Sequence, residues 1–331
     1  MFKRILTLPS RHLALSIPLA LALGLIIGLL VRIPQSPALT MPAVLLLVYP
    51  IMIGVPWREV LKLEPWRLML ISTLLNFLVI PAVALGLGRW LLADHPALMA
   101  GLMIASLLPT SGMTISWTVI SGGNVPAAVR ITVISLLAGS LLMPFYLLGM
   151  LGQAVPVETG PMLARVGMTV ILPMILGTIT YRLLLKRYTP QQFQNQIKPL
   201  LSPISVWAML YIIFMSTASR AQHLLADPKA LASGAATLLL LYGVNFTLST
   251  LAGRWFLDRA DAYTLVYTTV LRNLSIALGM ALAIFGAQAA FIITLAFILQ
   301  VQAAAWYDKA AKHFGFFERA VPQPKAVGGN D

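Results

Sequence analysis

Residues 108–114 read Leu-Pro-Thr-Ser-Gly-Met-Thr, and residues 268–275 read Thr-Thr-Val-Leu-Arg-Asn-Leu-Ser. Each stretch lies inside an apolar run long enough to cross a bilayer, 97–121 and 262–286. Pro109 has no N–H to donate and Gly112 is a poor helix former, so the first stretch is expected to unwind between them. The alternative is a plain proline kink with Ser and Thr hydroxyls bonding back to the preceding turn. Unwound backbone at membrane depth is tolerated only where protein buries it or where it lines a wet cavity, which makes an unwound segment a candidate binding site. The second stretch carries Arg272, the one charged residue deep in any apolar run; none of the ten Asp and Glu lies in a run's core. A membrane-centre Arg costs about 3 kcal/mol by insertion scales and more by simulation, so it is a functional hypothesis by default. Its structural alternative is an Arg bonded to unwound carbonyls.

The composition around these stretches is that of a membrane protein. Of 331 residues, 59% are hydrophobic and only 10% are charged, against roughly 25% charged in soluble domains. Ten runs qualify as spans: 12–31, 39–55, 66–92, 97–121, 125–150, 162–186, 199–219, 230–257, 262–286 and 288–307. The first is of span length and is not followed by a small-residue cleavage site, so it reads as a span rather than a signal peptide. Of the 23 Lys and Arg, Arg272 lies deep in a span, Arg32, Arg89, Arg165, Arg220 and Lys229 fall in or beside one set of alternate connections, and the remaining 17 in or beside the other. That asymmetry predicts both termini and the polar 186–198 connection in the cytoplasm of a plasma (inner) membrane protein. The net charge of +13 is accounted for by these loops and does not imply nucleic acid. Trp57, Trp66, Trp90, Trp255 and Trp306 fall near run ends, as interfacial anchors do.

The two halves repeat. Gly88-Arg89-Trp90-Leu91-Leu92 ends the third run and Gly253-Arg254-Trp255-Phe256-Leu257 ends the eighth, with Asn76-Phe77 and Asn245-Phe246 ahead of them. Ile17-Pro18 matches Leu172-Pro173, and Met41-Pro42 matches Ser202-Pro203. At an offset of 164, Pro109 faces Asn273, Gly122 meets Gly286, and Asn124 meets Gln288. Five spans per copy is odd, so the copies would enter the membrane in opposite senses, the arrangement of many alternating-access carriers. The expected fold is an all-α polytopic membrane protein. Residues 1–155 form one five-helix repeat, 156–317 its inverted copy, and 318–331 a disordered cytoplasmic tail.

Function classes narrow accordingly. Cysteine is absent, which excludes disulfides and thiolate chemistry. The four His residues, His12, His95, His223 and His313, have no metal-ligand spacing, so neither metal nor cofactor is expected. An intramembrane hydrolase would need a base beside its Ser or Thr, and the spans offer none. A receptor or channel fits the repeat less well than a carrier. The remaining readings are a carrier of a small anionic solute, with Arg272 and half-helix N-termini supplying positive charge, and a metalloid exporter.

Pro109-Thr110-Ser111-Gly112-Met113, Trp117 and Gly123-Asn124 resemble the Pro-Cys-Thr-Ala-Met…Trp…Gly-Asp motif of the arsenite efflux permease branch of the bile acid/sodium symporter superfamily. Arg272-Asn273-Leu274-Ser275-Ile276-Ala277 with Phe285-Gly286 resembles its later motif. The resemblance implies a panel of spans 1, 2, 6 and 7 and a core of the others, with spans 4 and 9 broken and crossing near the midplane. It implies a substrate site at Pro109, Thr110, Ser111, Gly112, Thr114, Arg272, Asn273 and Ser275, and ion-coupling positions at Thr268 and Asn124. The departures are specific. Thr110 stands where the permease has Cys, Ser275 where it has Glu, and Thr268 and Arg272 where the sodium-coupled branch has Glu and Gln. An arsenite permease without its usual cysteine is therefore the alternative to an anion carrier, and the coupling ion, sodium or proton, stays open.

Overall fold

The structure is a computed structural model that describes residues 7–9, 12–31, 33, 37–55, 64–151, 160, 164, 167–219, 221–222 and 227–318. Among these residues the regular structure is helical and no strand occurs. The order is α1 (Leu13–Leu30), α2 (Pro37–Met52), α3 (Trp66–Leu91), α4 (Pro96–Leu107), α5 (Gly112–Ile120), α6 (Val125–Leu151) and α7 (Gly167–Leu184). It continues with α8 (Pro190–Ala218), α9 (Pro228–Phe256), α10 (Arg259–Val270), α11 (Leu274–Phe285) and α12 (Ala287–His313). Helices α3, α6, α7, α8, α9 and α12 are long and apolar enough to cross a membrane. Leu15, Leu19, Leu141, Phe145, Leu172 and Ile175 point outward and are exposed, the placement a lipid solvent favours and water does not. Trp66, Trp90, Trp255 and Trp306 are exposed near helix ends; Trp57 lies outside the described residues, as do the 155/156 boundary and residues 319–331 of the tail.

Three of the long helices contain a π turn, at Leu75–Val79, Gly167–Ile171 and Phe193–Ile197. Each ends two residues ahead of a proline: Pro81, Pro173 and Pro199. A proline cannot donate to the carbonyl four residues back and its ring crowds that carbonyl, so the preceding turn widens. The freed Phe77 carbonyl accepts a hydrogen bond from the Tyr146 hydroxyl of α6 instead. This widened turn of α3 carries the buried Asn76.

Helices α1, α2, α7 and α8 pack together. A Cβ at Gly28 would lie 2.2 Å from the Ala218 carbonyl oxygen, so α1 and α8 reach backbone contact only because that position has no side chain. Helix α4 is enclosed by α3, α6, α11 and α12, with every residue from Leu98 to Leu107 buried. Helices α9 and α10 lie side by side, and α3 packs on both. Helices α11 and α12 reach the first group, α11 against α2 and α12 against α1 and α8.

Two boundaries differ from the hydropathy reading. The 186–198 stretch is not a loop: helix resumes at Pro190 and runs on through the π turn into Lys198–Ala218. The Thr189 hydroxyl accepts from Gln192 N at 3.2 Å, the Gln192 side chain accepts from Thr189 N at 2.9 Å, and Phe193 is buried edge-on against Tyr181. Local capping and one aromatic anchor outweigh the polar composition. The last helix outruns its apolar run, continuing to His313 and burying Asp308 on its inner face.

Candidate functional site

Helix stops at Leu107 and restarts at Gly112, and stops again at Val270 and restarts at Leu274. Both interruptions are real breaks rather than kinks, and they meet: an isolated antiparallel bridge pairs Pro109 with Arg272, and Asn273 N donates to the Leu108 carbonyl at 2.8 Å. Thr110 has φ 61°, a left-handed conformation uncommon outside glycine, and its hydroxyl folds back onto the Pro109 carbonyl at 2.7 Å. Ser111 N donates to Thr114 Oγ1 at 3.1 Å, which starts α5; the Ser111 hydroxyl is buried without a hydrogen-bond partner. On the other strand of the crossing, Asn273 Oδ1 accepts from Ile276 N at 3.3 Å and starts α11. Gly122 (φ 70°) and Gly286 (φ 80°), 164 positions apart, follow the two broken elements, each with positive φ.

The crossing thus gathers two helix C-termini, α4 and α10, and two N-termini, α5 and α11. Arg272 lies between them and is 3% exposed. Its Nη1 donates to Asn76 Oδ1 at 3.0 Å, and Asn76 Nδ2 donates to the Thr268 carbonyl at 3.1 Å, tying α3, α10 and the break together. Ser72 Oγ stands 3.5 Å from Thr268 Oγ1. The Arg272 Nε and Nη2 atoms are buried and have no hydrogen-bond partner. These two form one edge of the planar guanidinium, the fork that matches two oxygens of an anion.

Pro109, Thr110, Ser111, Gly112, Thr114, Thr268, Arg272 and Asn273 are therefore neighbours along the two breaks, with Thr110, Thr114 and Thr268 fully buried; Ser275 lies half-buried on the first turn of α11. Asn124 lies elsewhere. Its Nδ2 donates to Asp261 Oδ1 at 2.8 Å and its N to Thr264 Oγ1 at 2.7 Å, at the start of α10. That end is nine residues, about 13 Å of helix, from Val270. Burial pushes the Asp261 carboxyl up, and the hydrogen bond from Asn124 pulls against it.

Four contributors escape a reading of the motifs. Asn76 and Gln300 are uncharged amides inside apolar runs, and Tyr242 reaches Gln300 Oε1 at 3.1 Å; listing every amide within the runs would have found the first two. Asp308, 8% exposed, sits one residue beyond the tenth apolar run. It accepts from Ser121 Oγ at 2.5 Å and pairs with Lys312 at 2.8 Å, while Lys312 also donates to the Ile120 carbonyl at 3.2 Å. Among the described residues no cluster of His, Cys, Asp and Glu could hold a metal ion.

Two broken helices cross inside an apolar helical protein, and the sequence relatives narrow its class. Residues 41–227 match the Sodium Bile acid symporter family, and the chain belongs to that family, one of membrane transporters. The chain is 23% identical over 303 residues to the Arsenical-resistance protein Acr3 of Corynebacterium glutamicum, covering 85% of this chain and 82% of that protein. It is 21% identical over 247 residues to the uncharacterized protein YbaS of Bacillus subtilis, covering 74% of this chain and 79% of that protein. With six membrane-length helices and this family, the protein is a multi-pass membrane protein.

Proposed function

We propose that the protein is a secondary carrier that moves a small anionic solute by alternating access without needing sodium. The observation that carries the reading is Arg272: a buried guanidinium anchored by Nη1 on Asn76, with its Nε/Nη2 edge unpaired at the crossing of two broken helices. A guanidinium has donors only, whereas sodium needs oxygen acceptors. The two repel in a low-dielectric site, so Arg272 acts as a permanent, tethered cation where a coupling ion would otherwise bind. Thr110, Ser111, Thr114, Asn273 and Ser275 supply the polar lining, and Asn76, itself tied to the Thr268 carbonyl, holds the cation.

The frame for this activity is ten spans in two inverted repeats, 1–155 and 156–317, with both termini in the cytoplasm of the inner membrane. Two breaks and two positive-φ glycines at closely similar offsets support the repeat. The grouping of α1, α2, α7 and α8 apart from α3–α6, α9 and α10 supports a panel moving against a core.

The test is flux in proteoliposomes of radiolabelled organic anions (taurocholate and pyruvate) with sodium exchanged for choline. Flux that survives the exchange supports the reading; a steep loss shows sodium coupling and refutes it. The extensive match to an arsenical-resistance protein supports a second reading, arsenite export without the usual cysteine. Arsenite tolerance of cells lacking their own exporter, with and without this protein, separates the two.

A further inference from the structure

We infer that Gln300 is the positioning residue for Arg272: its side-chain amide takes the place of a neighbouring strand at the break in the α10–α11 element, and the two residues act as a unit. Gln300 Oε1 accepts from Arg272 N at 2.7 Å, and Gln300 Nε2 donates to the Arg272 carbonyl at 3.2 Å. Both backbone polar groups of one unwound residue are thus satisfied by one side chain. On its other side Arg272 is bridged to Pro109, so its backbone is held between an extended segment and a surrogate for one. The amide is itself held, since the Tyr242 hydroxyl of α9 donates to Oε1 at 3.1 Å. Gln300 is 1% exposed, so no water competes for these bonds.

The two breaks differ in a way that explains why only one needs such a residue. The bridge pairs Pro109 with Arg272 at the centre of the two breaks, and the offset of 164 puts the apolar Leu136 opposite Gln300. In the first break Pro109 has no N–H to satisfy, and the Thr110 hydroxyl serves the Pro109 carbonyl locally. In the second, Leu274 N serves the Arg272 carbonyl locally at 2.9 Å, but the Arg272 N–H is met only by Gln300, and in an apolar interior an unmet backbone group is costly. With the Arg272 backbone fixed by Gln300 and the tip fixed by Asn76, the side chain is held at both ends, which is what keeps its free edge in one orientation. This inference rests on the carrier reading only for its functional consequence; the geometry stands without it.

The experiment needs no transported solute. In protein labelled with 15N-arginine and held in detergent micelles, the Arg272 Nε–H resonance is identified by its absence in Arg272→Gln. In the wild type this proton is shielded and exchanges slowly with D2O. In Gln300→Leu, which keeps volume and loses both hydrogen bonds, the resonance shifts and exchange accelerates by about tenfold, the size expected for losing a hydrogen bond or two. An unchanged resonance and exchange rate overturn the inference. Should Gln300→Leu fail to fold, Gln300→Glu keeps the shape and the acceptor; the Arg272 Nε resonance then moves with pH, because a carboxylate cannot donate to the Arg272 carbonyl and its protonated form can. A pH-invariant resonance in that variant likewise refutes the assignment. Loss of anion flux in Arg272→Gln together with an undisturbed resonance in Gln300→Leu would sink this inference and spare the carrier; unchanged flux with a shifted resonance would do the reverse.

Discussion

The guanidinium of Arg272 is costly where it stands, and the residues around it offset only part of that cost. Asn76 meets one nitrogen, while Nε and Nη2 stay buried without a partner. Replacing Arg272 with Gln removes a charge without opening a large cavity, so folded yield is expected to hold while flux of an anionic solute falls by tenfold or more, roughly the 1–3 kcal/mol of a charged hydrogen bond. Flux per folded molecule, measured against protein recovered from size-exclusion chromatography, checks this. The double replacement Arg272→Gln, Thr268→Glu supplies an acceptor and removes the repelling charge; flux that becomes sodium-dependent is the expected outcome, read by the same exchange of sodium for choline. Asn76→Leu leaves the Arg272 Nη1 without its acceptor and the Thr268 carbonyl without its donor. A loss of about 2–4 kcal/mol in stability is expected from two unmet buried groups, visible as a lowered unfolding midpoint in detergent.

At the scale of elements, the short helix α5 is the least enclosed of the four half-helices. Its Ser116, Val119 and Ile120 are exposed, while Leu98–Leu107 of α4 and Ala262–Val270 of α10 are buried throughout. A nine-residue helix is marginal alone, so its far end needs fastening. Ser121, Asp308 and Lys312 provide this, with the Lys312 cation on the Ile120 carbonyl at the negative end of the helix dipole. Asp308→Ala is expected to free that end. A single Cys at Ile120, in a chain that otherwise has none, should then react faster with a maleimide, and stability should drop by about 1–3 kcal/mol. An unchanged labelling rate would mean that α5 is held by its packing on α6 and α10 instead.

Across the whole molecule, the orientation predicted from Lys and Arg is checked by a single Cys at Gln192: an impermeant reagent should label it in inside-out vesicles and not in intact cells. The grouping of helices makes a second prediction. A Cβ at Gly279 of α11 would lie 2.9 Å from Val44 Cγ1 of α2, and Val44 and Leu47 are fully buried there. Gly279→Val therefore cannot keep this seam closed without strain of about 1–3 kcal/mol. It is expected to part α11 from α2 and raise the reactivity of a Cys placed at Leu47; a seam that stays unreactive would show that the two groups do not separate there.

Much of this molecule was legible from residue order because bilayer and backbone impose strong local rules. Apolar runs of span length, the placement of Lys and Arg, and the pairing of Pro109 with Gly112 are local facts with local consequences, so the helices could be read directly and the first break anticipated against a plain kink. Arg272 stood out because a charge in an apolar run is expensive wherever the chain folds. The helical start at Pro190 and the extension of α12 to His313 were not legible, since capping by Thr189, anchoring by Phe193 and burial of Asp308 depend on side chains from elsewhere in the fold. The partners of Arg272 were hidden for the same reason. Asn76 is 196 positions away in sequence and Gln300 is 28, and an amide in an apolar run signals only that some partner exists. Residue order alone pointed to an irregular helix at 109–112, a break or a kink, and to a cation buried at 272. Only the tertiary structure decided that the two breaks meet, that Asn76 holds the cation and Gln300 its backbone, and which edge of the guanidinium stays free. Hydrogen bonds between distant segments are chosen by packing, and no local propensity encodes them.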